Sequence, residues 1–304
     1  MKKRLLSLLA FCLVISSGLP CLNQSATSYS GFSAPDNKKR PADRLRAALE
    51  YHVFSEGLLM EKRFQNATGI GDRSDYCIGL IYEGRIGEAI RILENLENEK
   101  PGLFSIAANL GTAYELDGRN ELALHWIQEG IRRNPADHEG TEWLHVKILE
   151  AKIAQQHDTN YFKTHSVLNL DASRIRSAPA PQIAGLKMSW DDLSKALYYQ
   201  LGERLQFVKE SDPCVASLLF DFAEIEAARN TLESATALLR MARKLGYPPA
   251  LIDSRLAFYE RRIRWHGLWL DSSPYVYFIL AVTLTLFFLG QFKRWMRRRF
   301  PHIT

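Results

Sequence analysis

Most of the signatures that mark an enzyme are missing from this chain of 304 residues. It has no CxxC pair, no GxSxG turn, no HExxH segment and no glycine-rich phosphate loop. Those spacings serve metal, nucleophile and nucleotide chemistry, and none of the three is indicated here. Cysteine is scarce, at four residues. The body also lacks a surplus of positive charge, although the formal net charge is +5. Lys2, Lys3 and Arg4 sit at one end and Lys293, Arg294, Arg297, Arg298 and Arg299 at the other. Setting those eight aside leaves fewer basic residues than the 34 acidic ones, so the body has no footprint for a phosphate backbone. Nucleic acid is excluded as a partner. Wholesale disorder is excluded as well, by a hydrophobic share of 46% and a charged share of 24%.

What is present begins with the two ends. Residues 1–18 run from a basic start through the apolar stretch Leu5–Ile15 to Ser16, Ser17 and Gly18. This is the composition of a cleaved secretory signal peptide. Retention as an anchor and lipidation at Cys21 stay open, although Pro20 suits a lipobox poorly. Residues 275–292 read YVYFILAVTLTLFFLGQF without a charge. At about 1.5 Å per residue they extend roughly 27 Å, close to the hydrocarbon thickness of a bilayer. Five Lys and Arg residues follow and Asp271 precedes, which predicts a cytoplasmic tail over 293–304 and an extracytoplasmic body. The expected location is a bacterial inner membrane, crossed once, with the body in the periplasm.

Between the ends the sequence repeats. Gly84 and Gly118, Ala89 and Ala123, and Pro101 and Pro135 are each 34 residues apart. Small residues at Gly111, Ala123 and Gly130 allow two antiparallel helices to approach closely. Gly118 suits the tight turn between them, and Pro135 follows where no further amide donor is needed. Leu110, Gly111, Tyr114, Gly118, Ala123, Ile127, Gly130 and Pro135 resemble the signature of the tetratricopeptide-repeat family. Residues 70–103 keep Gly84, Glu88, Ala89, Ile90 and Pro101 of the same pattern, with Cys77 and Leu80 departing from it. The resemblance implies an all-α fold: a solenoid of helical hairpins in two blocks, followed by one C-terminal transmembrane helix.

The expected divisions are a signal peptide over 1–18, a flexible leader over 19–40 and a first block over 41–156 with clear repeats at 70–103 and 104–137. An irregular connector over 157–189 follows, then a second, looser block over 190–265, where Ala223, Ala235 and Ala242 keep the spacing and Asn230 replaces the turn glycine. The last helix of that block, residues 249–265, leads through Ser272-Ser273-Pro274 to the span.

Other polar groups have plainer readings. His138, Glu139, His145 and His157 are close in sequence, but spacing places no third metal ligand. Asp191 and Asp192 stand where a helix begins and are read as capping residues. Cys77 falls at a helix-packing position, and a Cys77–Cys214 disulfide is permitted without anything in the sequence to bring the two together. Asn66-Ala67-Thr68 is a glycosylation sequon. No catalytic, cofactor or metal site is expected. By resemblance, the first helix of each pair lines a concave groove that holds a protein partner, which places Tyr82, Asn109, Thr112, Glu115, Leu116, Glu139 and Glu142 there. Three acids and no bases among the seven predict a neutral to basic partner segment. The chain is therefore expected to be a membrane-anchored scaffold for other proteins. The alternative is a module binding an envelope ligand such as a peptidoglycan or polysaccharide fragment.

Overall fold

The structure is a computed structural model that describes residues 25–27, 33–35, 42, 45–46, 68–170, 175–177, 179–180, 182–183, 185–205, 207 and 211–299. Helix dominates. In chain order the helices are α1 (Ile70–Tyr82), α2 (Ile86–Glu99), α3 (Phe104–Leu116), α4 (Asn120–Arg133), α5 (Glu142–His157), the single turn α6 (Tyr161–Thr164), α7 (Trp190–Leu205), α8 (Pro213–Arg229), α9 (Leu232–Lys244) and α10 (Pro249–Arg299). A short 3-10 turn, Asp137–Gly140, precedes α5. The strands among the described residues are β1 (Ser25–Thr27) and β2 (Ser33–Pro35), paired antiparallel.

The period of the sequence reappears in the backbone. Both ends of α3 lie 34 residues beyond those of α1, and both ends of α4 lie 34 beyond those of α2. The turns match bond for bond. Gly84 N–H donates to Ile81 O and Arg85 N–H to Leu80 O; Gly118 N–H donates to Glu115 O and Arg119 N–H to Tyr114 O. This pair of bonds satisfies the last carbonyls of a helix only if the residue after the cap is left-handed, and Gly84 and Gly118 have φ of 77° and 80°.

Helix direction follows from the contacts. A Cβ on Gly130 would meet Ala108, and one on Gly111 would meet Ile127. One helix advances three residues while its neighbour retreats three, so α3 and α4 are antiparallel. Across the hairpins, Arg133 reaches Glu97 at 2.8 Å and Leu103 O at 3.0 Å, and Asn109 donates to Ser74 Oγ at 3.0 Å.

Two cores result, and both use α5. Leu149 joins Cys77, Leu80, Leu93, Leu110 and Ile127 in the first. Leu144, Ile148 and Ala151, on the other side of the same helix, join α7 to α10 in the second. This differs from the expected division at 157–189. The connector packs: Phe162, Val167 and Ile175 are buried in the second core. Its backbone is held by α8, since Val167 N–H donates to Ser217 Oγ at 3.1 Å and Leu168 N–H to Asp221 Oδ2 at 3.3 Å. An irregular segment secured by side chains has no helical period to reveal it.

Three further expectations change. Ala42 and Leu45, assigned to the first block, are buried in the second core. Residues 25–27 and 33–35 of the flexible leader form a strand pair, with β1 beside α9 and α10. The helix expected over 249–265 does not end there: α10, 51 residues from Pro249 to Arg299, runs on through Gly267 and Pro274. The signal segment over 1–18 lies outside the described residues.

In the second block, α8 and α9 are joined without the left-handed glycine turn. Asn230 has φ of −124°, and Thr231 restarts the helix by accepting from Ser234 N–H at 3.3 Å. Helix α7 begins in a reciprocal cap. Ser189 Oγ accepts from Asp192 N–H at 3.1 Å, and Asp192 Oδ2 accepts from Ser189 N–H at 3.1 Å.

The α3–α4 contact can be tested by two substitutions of opposite sign. A Cβ at Gly111 would stand 2.6 Å from Ile127 Cγ1 and 3.1 Å from the Ile127 backbone nitrogen, whereas one at Gly87 meets nothing. Gly111→Ala should cost about 1–3 kcal/mol by overpacking. Gly87→Ala should be neutral or stabilise by up to about 1 kcal/mol, since alanine loses less backbone freedom on folding. Thermal melts that place the two variants together would contradict this packing.

Candidate functional site

The seven residues expected on an open groove fall into different surroundings. Glu115 and Glu142 are buried, which corrects the expectation that they face a partner. Tyr82 stacks on Phe207, with ring centroids 5.0 Å apart and planes at 21°. Asn109 is engaged with Ser74. Thr112 and Leu116 line a small cavity, and Leu116 keeps 37% of its surface exposed. Glu139 is exposed on the left-handed stretch of the 3-10 turn, at φ 58°. The side that the resemblance leaves open as a groove is met instead by α7 and Phe207 of the chain itself.

Helix α7 reaches into the groove because its buried stripe changes character along its length. Trp190, Leu193 and Leu197 are followed at helical spacing by Gln200 and Arg204, all of them buried. Arg204 Nη2 donates to Glu115 Oε2 at 3.2 Å, and Arg204 Nη1 donates to Gln200 Oε1 at 3.1 Å. Gln200 Nε2 donates to Glu142 Oε1 and to Thr141 Oγ1, both at 3.1 Å. From α5, Lys152 Nζ lies 2.8 Å from Glu115 Oε1. His145 has a carboxylate at each ring nitrogen: Glu115 Oε2 at 2.7 Å and Glu142 Oε2 at 3.1 Å. His138 Nδ1 lies 2.7 Å from Glu142 Oε1.

Burial alone would raise both carboxyls, because it penalises the charged form. At Glu115 the Arg204 guanidinium, the Lys152 ammonium and His145 outweigh burial and hold the carboxyl well below the usual range. At Glu142 the hydrogen bonds from His138 and His145 outweigh it in the same sense. The bond to Glu142 raises His138. Glu115 and Glu142 are thus met by the cations of Lys152 and Arg204 and by the imidazoles of His145 and His138, in a space with room left for a cavity of about 80 Å³. A second, open cleft of about 430 Å³ lies alongside, lined by Asn120, Gln155, Gln156, Thr159, Ser211 and Asp212 among others.

Gln200, Arg204 and Phe207 were not among the expected site residues. The available signal was an Arg and a Gln continuing an otherwise apolar stripe, which asks for a buried partner. Among the described residues no three His, Cys, Asp or Glu side chains form a metal-ligand set. Cys77 and Cys214 are free thiols in different cores. Burial pushes Cys77 up to about 12, and Cys214 upward as well.

A separate acid lies under the connector. Burial pushes Asp221 up to about 7, and nearby Glu224 adds to the shift, against hydrogen bonds from Ser166 and Leu168. Beside it, Glu224 accepts from Tyr259 Oη at 3.0 Å and pairs with Arg255 at 3.0 Å.

Compared with protein-family models and with curated proteins, the chain gives no match. The likeness to tetratricopeptide repeats therefore rests on the residues and geometry above.

Two predictions follow from these groups. Removing one partner of a buried ion pair strands the other, so Glu115→Gln should cost about 3–5 kcal/mol. Removing both, as Glu115→Gln with Arg204→Met, should cost less than the two single changes added together, which denaturant titration of the four proteins would measure. Additive losses would mean that the pair is not coupled. For Asp221 the raised value means that the folded chain keeps a proton that the unfolded chain releases between about pH 4 and 7. The stability associated with this group is therefore lost as pH rises through that window. Asp221→Asn should melt above the wild type at pH 8, with the advantage shrinking toward pH 4; a difference independent of pH would contradict the assignment.

Proposed function

We propose that this chain is a membrane-anchored scaffold, built from tetratricopeptide-like helical hairpins, that holds protein partners on the extracytoplasmic side. The observation that carries the reading is the 34-residue offset shared by helix ends and turn bonds in α1–α2 and α3–α4. A repeating hairpin with an apolar stripe buries that stripe only by stacking on its neighbours, and stacked hairpins provide extended binding surface rather than a reaction centre. A non-catalytic role is supported by the buried cluster itself, where the Glu115 and Glu142 carboxylates are engaged by Arg204, Lys152, His145, His138 and Gln200.

Among the described residues one helical segment, Pro274–Arg299, is long and apolar enough to cross a membrane, and none of its apolar window is buried in the protein. The basic residues after Phe292, together with the basic and apolar residues 1–18, support a single pass with the tail in the cytoplasm. The periplasmic face of a bacterial inner membrane is the location this reading favours.

With α7 in the groove, partner binding falls to what stays open. Leu116 and Glu139 remain exposed near the groove mouth, an apolar anchor and an acid suited to a neutral or basic segment. The polar cleft is the feature that an envelope saccharide would use, but its lining residues include no aromatic ring for a sugar to stack on. The protein-partner reading is therefore preferred.

Two measurements test the proposal. Protease added to intact spheroplasts should digest the body and spare the basic tail; a protected body would reverse the topology. Capture with the detergent-extracted chain should recover a specific protein that a folded Leu116→Arg, Glu139→Arg variant no longer holds. Equal capture by the variant would remove the groove mouth from the account.

A further inference from the structure

The first half of α10 packs on the body through Ile252, Leu256, Tyr259 and His266, all buried. At about 100° per residue these lie on one side of the helix. Trp265, Leu268 and Trp269 project from roughly the opposite side and are 67%, 59% and 55% exposed. Arg261 and Arg264 share that outer sector and are exposed.

The charges make the same distinction. Arg255, toward the body, pairs with Glu224, while Arg240 and Arg243 of α9 pair with Glu260 and Asp253 of α10. Among the described residues, no ion pair involves Arg261 or Arg264. Two indole rings, a leucine and two unneutralised guanidinium groups thus lie together immediately before the apolar run of the same helix. Indole rings favour the boundary between water and hydrocarbon, and guanidinium groups bind phosphate oxygens in paired fashion.

Distance decides how such a face meets a bilayer. Trp269 and Trp265 stand about 7.5 and 13.5 Å before Pro274 along the helix axis. The headgroup layer is only about 5–8 Å thick on each side. An upright helix would carry Trp265 clear of it; a leaning one lays both rings within it. Pro274 has no amide N–H to continue the helical ladder, and such positions are where helices bend.

We propose that Trp265, Leu268 and Trp269, with Arg261 and Arg264, seat in the phospholipid headgroup layer of the membrane that α10 crosses. The arginines meet lipid phosphates, and the helical body is held down on the bilayer instead of standing off on a free stalk. This rests on the membrane anchoring proposed above.

The test uses the full chain reconstituted into phosphatidylcholine vesicles, with and without phosphatidylglycerol, and begins with flotation. The emission lost in Trp265→Phe, Trp269→Phe isolates these two rings from the six tryptophans of the chain. A lipid carrying a nitroxide near its headgroup should quench that difference emission severalfold more than aqueous iodide does. Arg261→Gln, Arg264→Gln should weaken the lipid quenching in phosphatidylglycerol vesicles. Identical quenching in the arginine variant would overturn their assignment to lipid phosphate. A chain that floats while the difference emission answers to iodide and not to lipid overturns the seating and leaves the anchor standing. Failure to float overturns the membrane reading and this proposal with it.

Discussion

The arrangement of this protein depends on one buried carboxylate. Glu115 lies in the last turn of α3, where it is met by Arg204 from α7 and by Lys152 and His145 from α5. A charge in that position without partners would be costly to bury; with them it joins three helices that are distant in sequence. Glu142 and Gln200 extend the same network to the start of α5. The Tyr82–Phe207 stack closes the groove along the chain from these charges. The groove thus becomes an interface within the chain, and α5 becomes the wall shared by both cores.

The sequence made the local elements legible and the long-range ones hidden. Glycines at 84 and 118 announced two identical turns, because a left-handed residue after a helix cap leaves few alternatives. Small residues at 111 and 130 announced a close helix contact for a similar reason. The place of α7 was not legible: Arg204 and Gln200 meet each other one turn apart, but nothing in their spacing says that Glu115 waits 89 positions before Arg204. The acids of the groove were read as free because their countercharges lie on other helices. The packing of the connector was hidden for a different reason. Val167 and Leu168 are held by Ser217 and Asp221, and backbone hydrogen bonds to side chains leave no period in the segment they hold.

The same contrast runs along α10. An uncharged run of eighteen residues was evident by length and composition alone. Its continuity with the packed helix before it was not, because the segment Ser272-Ser273-Pro274 between them carries no helical signal. A helix tolerates a proline by losing one hydrogen bond and bending, and the packing of Ile252, Leu256 and Tyr259 fixes the direction from which it enters that stretch. The body and the apolar segment are parts of one element, so the orientation of one constrains the other.

Amide hydrogen exchange in an Arg204→Ala variant tests the central claim most directly. If Glu115 is the shared fastening, loss of its α7 partner should speed exchange in α3 and α5 as well as in α7. Faster exchange confined to α7, with α3 and α5 as protected as in the wild type, would contradict the account.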